Sequence, residues 1–79
     1  MKNEVRVGYV ATCSIHGTSF KYRVVQVLGK KQIAVCQAND NFEVLPGAPQ
    51  EFLTLRKDNR WRLSGDSLKS LTLWSVFRP

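Results

Sequence analysis

From Val5 onward the apolar residues fall on every second position. Val5, Val7, Tyr9, Ala11, Cys13 and Ile15 alternate with Glu4, Arg6, Thr12 and Ser14. Successive side chains of a strand point to opposite sides of its sheet, so a period of two marks a β-strand with one buried face. The same period dominates the chain and sets its class as all-β. Gly8 interrupts the first run and is read as a bend or bulge within one long strand. His16-Gly17 then makes a turn. In Phe20–Leu28, Phe20, Tyr22 and Val24 share one face while Val25 and Val27 fall on the other. Either a bulge slips the phase or the strand is covered on both sides, and central placement is the simpler reading. Gly29-Lys30-Lys31 leads into Gln32–Ala38, with Gly29 the expected supplier of positive φ. Asn39-Asp40-Asn41 is a further turn cluster before the short run Phe42–Leu45. Pro46-Gly47-Ala48-Pro49 forbids regular structure for its length.

The register of one hairpin can be worked out from Glu51–Leu63. A two-residue loop at Asp58-Asn59 would set Leu55 against Arg62 and Arg56 against Trp61, mixing charged and apolar groups on both faces. A three-residue loop, Lys57-Asp58-Asn59, pairs Leu55 with Trp61 and Leu53 with Leu63 and keeps one face apolar, provided that Asn59 is left-handed. The opposite face then carries Arg56 across from Arg60, Arg62 across from Thr54, and Phe52 at the end of the row. Like charges directly opposite each other on a sheet repel. Either an anion sits there, or the arginines lie over apolar neighbours and meet Glu51, Asp58 or Asp66.

The C-terminal stretch is mixed. Asp66 is a candidate cap for a short helical turn through Leu71. Leu71, Leu73, Ser75 and Phe77 alternate with Thr72, Trp74 and Val76, which predicts a closing strand. That strand is apolar on both faces, so it packs centrally, closes a barrel or offers an edge to a partner. In the last case Trp74 is the anchor, and otherwise it is a core residue.

Size and charge bound what such a chain does. A 79-residue chain is one domain with little room for both a core and a deep catalytic cleft. Twelve Lys and Arg against six Asp and Glu leave a net charge of +6, the one global functional hint. Two cysteines are too few for a disulfide framework and suit a reducing cytosol. The start, Met-Lys-Asn-Glu-Val-Arg, never reaches the roughly seven apolar residues of a signal-peptide core, and no run approaches the roughly 18 that cross a membrane. The expectation is a soluble cytoplasmic protein, complete as given, with no membrane partner.

Chemical motifs are sparse. Cys13, His16 and Cys36 make three possible zinc ligands where a structural site takes four, so no metal is expected. Cys13 and His16 lie three apart on a strand and point to opposite faces, which argues against a nucleophile pair. Glu43 and Glu51 flank the proline loop, with nothing to set their separation as an acid and base. The phosphate-loop, dinucleotide and zinc-protease motifs are absent, so neither an enzyme nor a cofactor is expected.

The architecture predicted is a small antiparallel barrel or strongly curled sheet, SH3-like or OB-like, of six or seven short strands with at most one short helical turn. The expected function is nucleic-acid binding. Arg56, Arg60 and Arg62, extended by Lys21, Arg23, Lys30 and Lys31, would neutralise phosphates, and Phe52 would stack on bases. The alternative is a regulator or inhibitor that docks on a larger, acidic protein through Trp74.

Overall fold

A computed structural model describes residues 4–64 and 72–79. Six strands follow in order: β1 (Val10–Ile15), β2 (Thr18–Gly29), β3 (Gln32–Ala38), β4 (Gln50–Leu55), β5 (Trp61–Leu63) and β6 (Leu73–Phe77). Each pairs antiparallel with the next, and β6 returns to β1, so the sheet closes into a barrel. Neighbours in space are neighbours in sequence. That is the order of a meander and not the Greek-key order of an OB barrel. Closure leaves no long open edge, which suits a chain this small.

Local chemistry explains the turns. Ile15 pairs with Thr18 across His16 and Gly17, both with positive φ (50° and 82°), as the tight two-residue turn that follows strand twist requires. Asn39 organises the turn after β3, its side-chain Oδ1 accepting the amides of Asn41 (2.9 Å) and Glu43 (3.0 Å). The run at Phe42–Leu45 contributes a single bridge, Val44 to Ala38, rather than a strand.

Strand β2 resolves its ambiguous phase by bulging. Its register against β3 slips between Val24 and Gln26 and again between Val27 and Gly29, so Val25 and Leu28 are the extra residues. Val24 and Val27 consequently fall in the rows of Val35 and Ile33 despite their odd spacing, Val24 fully buried and Val27 exposed. The expectation for Gly29 is corrected here: positive φ belongs to Gly8, Gly17 and Gly47, and Gly29 simply pairs with Gln32. The bulge at Leu28 adjusts this hairpin instead of a left-handed glycine.

The first strand is shorter than its alternation suggests. Gly8, at φ 98°, turns the chain, with Tyr9 N–H donating to Arg6 O at 3.1 Å, so β1 starts at Val10. Val7 is therefore exposed rather than inward. The segment still rides on β2, where Gly8 N–H reaches Val24 O (2.9 Å) and Val24 N–H reaches Tyr9 O (2.8 Å).

The barrel interior is apolar. Ala11, Cys13, Tyr22, Val24, Ile33, Val35, Leu53 and Trp74 form the buried cluster, with Phe20, Trp61, Leu63 and Val76 packed on it. Fully burying a side chain such as Ile33 or Leu53 contributes about 1.5–3 kcal/mol. Both sit on paired central strands, so Leu53→Ala would leave a cavity at the middle of the barrel. Among the described residues no helix is long and apolar enough to cross a membrane. The candidate turn at 66–71 lies outside the described residues.

Candidate nucleic-acid interface

The β4–β5 hairpin has the three-residue loop that its apolar pattern requires. Leu55 pairs with Trp61, Thr54 with Arg62 and Leu53 with Leu63. Arg56 N–H donates to Arg60 O and Asn59 N–H to Arg56 O, both at 2.9 Å, with Asn59 at φ 67°. Arg56 thus stands opposite Arg60 at the tip. Asp58 organises the loop from within: one carboxylate oxygen accepts the Arg60 amide (3.1 Å) and the other accepts Arg62 Nη2 (3.2 Å). Desolvation, the largest single influence, pushes the Asp58 carboxyl up. The hydrogen bonds from Arg62 and the Arg60 amide, with the charge of both arginines, outweigh it and hold the group below its ordinary value.

A second hairpin tip lies alongside. The amide of Leu55 donates to the carbonyl of Lys31 at 2.7 Å, continuing the β3–β4 ladder past Gln32 and Thr54. The Lys30-Lys31 turn and the Arg56–Arg60 loop therefore share one end of the barrel. Lys30, Lys31, Lys57 and Arg60 are exposed and Arg56 is half-buried, while Asp58 is the sole carboxylate of these two turns. On the outer face of the same hairpin, Arg62 lies in the Thr54 row and Phe52, 42% exposed, in the row above. Sequence reasoning passed over Lys57, which the loop presents beside the arginines.

Lys21 and Arg23 do not join this rim. They lie beyond the Val25 bulge, on the part of β2 paired with β1. Lys21 Nζ bonds Asp40 at 3.3 Å. Arg23 Nη1 donates to the Phe42 carbonyl at 3.0 Å, tying β2 to a residue held at φ 60°. That guanidinium fastens the 39–43 turn, so Lys21 and Arg23 are engaged with that turn and not with the hairpin tips. Trp74 faces the interior, 8% exposed, its ring 4.9 Å from that of Tyr22. A docking anchor needs an accessible ring, and Trp74 presents none.

The interior also holds a small polar group that sequence reasoning missed. Tyr22 pairs with Ala11, Cys13 with Phe20 and Trp74, and Glu51 with Val35, so all three polar residues face inward. Burial first, then the charge of Glu51 and the proximity of Cys13, push the Tyr22 phenol up to about 12. Burial and Glu51 raise Cys13 as well, which keeps it an unreactive thiol. The signal was present in the shared parity of Glu51 with Leu53 and Leu55. Cys36 pairs with Arg23 and Gln50 on the outer face, so the two thiols do not converge. Glu43 is held in its turn by Asn39 Nδ2 (3.1 Å), away from the interior face that Glu51 occupies.

No protein-family model, curated protein or solved structure matches this chain.

Proposed function

We propose that this barrel is a small nucleic-acid-binding module that holds the DNA or RNA backbone on its cationic hairpin-tip rim. The observation that carries the reading is the Leu55–Lys31 backbone bond, which sets Lys30 and Lys31 beside Arg56, Lys57 and Arg60. Like charges gathered this closely repel, and phosphate oxygens relieve the repulsion while accepting guanidinium hydrogen bonds in pairs. Phe52, exposed one row above Arg62 on the same face, supplies a platform for a base. Lys21 and Arg23 have roles inside the fold and are left out of the interface. The location proposed with this function is the cytosol, which two free, buried cysteines fit.

The test is binding of a fluorescently labelled oligonucleotide across a salt series. Each phosphate contact contributes a slope of about −0.7 to −0.9 in log K against log salt, so a five-residue rim gives steep dependence. The informative variant is Lys31→Gln/Arg56→Gln/Lys57→Gln, because Arg62 is tied to Asp58 and its loss would also disturb the loop. It should fold normally and lose most binding. No binding at low salt overturns the proposal, and capture of an acidic protein that survives nuclease treatment would favour a protein partner instead.

A further inference from the structure

We infer that the ligand of the rim is single-stranded, with one unpaired base stacked on Phe52 while the neighbouring phosphates lie along the cationic hairpin tips. The inference deepens the nucleic-acid reading and rests on it. Its starting point is the way Phe52 is fixed. The residue pairs with Ala34 of β3 on one side, and on the other its carbonyl accepts the Ser64 amide at 2.8 Å. A residue bonded on both sides keeps to its own face of the sheet. Leu53 is buried inside, so Phe52 points outward, 42% exposed.

Charge on this surface is divided. The outer rows of β3 and β4 set Gln32 against Thr54, Ala34 against Phe52 and Cys36 against Gln50, with no cation and no carboxylate among them. Lys30, Lys31, Arg56, Lys57 and Arg60 lie past the end of those rows. A single strand is divided in the same way: its phosphates run along the backbone, and its unpaired bases project with their ring faces free. A duplex keeps those faces stacked inside, so the uncharged rows would meet only its phosphates. Gln50, exposed beside Phe52 on the same face, adds an amide that both donates to and accepts from a base edge.

Reach makes the same choice. Arg56, where the tip begins, is four residues on from Phe52. A strand rises about 3.3 Å per residue, which puts the two roughly 13 Å apart. The major groove is about 8.5 Å deep, so a tip driven to its floor still leaves Phe52 outside it. A base meets that ring only after leaving its stack.

The test compares fluorescently labelled probes of about 12 nucleotides, within the ~4–16 that a small barrel covers. They are single strands of thymidine and of uridine, DNA and RNA duplexes of equal length, and an abasic strand that keeps the backbone and lacks the bases. Affinity is read by anisotropy across a salt series. At least one of the single strands should bind more tightly than either duplex. Phe52→Ala should weaken that binding about five- to 150-fold, as loss of a stacking aromatic does, with the salt slope and the binding of the abasic strand unchanged. Phe52→Trp should keep the affinity. Should the alanine variant not fold, Phe52→Leu keeps the apolar bulk without the ring and decides. Steeply salt-dependent binding in which a duplex matches or exceeds the single strands, or in which losing the ring changes nothing, overturns the inference and leaves the rim. No binding of any probe at low salt removes the rim itself, and the inference with it.

Discussion

The amide of Leu55 and the carbonyl of Lys31, 2.7 Å apart, join two hairpins at the end where the cations gather. Backbone atoms hold this geometry, while side chains carry the charge. The two are therefore separable by substitution. Lys31→Gln should lower the magnitude of the salt slope for oligonucleotide binding by about 0.7–0.9. Its thermal midpoint should stay within a degree or so, since exposed surface substitutions rarely move stability.

Asn59 tests whether the loop conformation is what aligns the arginines. At φ 67° it occupies a region that Ala enters at a cost of about 1 kcal/mol. Asn59→Ala should lower the midpoint of thermal unfolding by roughly 4–8 °C in a domain of this size, and Asn59→Gly should not. Calorimetry on the pair separates backbone strain from loss of the amide side chain.

The phenol of Tyr22 makes alkaline stability a readout of the interior. Its folded value is pushed up to about 12 from 10.0, so the folded state holds that proton more tightly than the unfolded chain does. Its contribution is fully present below pH 10.0 and is lost as the pH rises towards about 12. Denaturant melts across this window should show falling stability, and Tyr22→Phe should flatten the fall. Ultraviolet titration should find one tyrosine ionising late.

Asp58 carries the opposite sign. Its folded value is lowered, so its contribution is present above the unfolded value and disappears as the pH falls through the folded one. Asp58→Asn should be less stable than the parent at neutral pH and close to it at strongly acid pH, where the parent's Asp58 carboxyl is itself neutral. The same change removes the one carboxylate of the rim. Oligonucleotide affinity at low salt should rise, which separates the loop's structural role from its charge.

How far the sequence could be read depends on how local each cause is. The β4–β5 register was legible because a one-residue slip would have turned Leu55 and Trp61 away from the apolar face. The His16-Gly17 turn and the β3 limits were equally local. Long-range closure was not. Nothing in the residues shows that Lys31 ends beside Leu55, that Arg23 is taken by the Phe42 carbonyl, or that Trp61 and Trp74 form a single rung. The bulges in β2 hid the same way: alternation reveals that the phase changes between Val24 and Val27, whereas only the pairing with β3 selects a bulge over two-sided burial.

A cylinder is as tightly shut as its shortest line of rungs. Among the described residues the β5–β6 line has one pair, and the next shortest, β4–β5, has three. On those residues the β5–β6 line is where the barrel should breathe first, and amide exchange should be faster along Trp61–Leu63 and Leu73–Phe77 than along the long β2–β3 ladder.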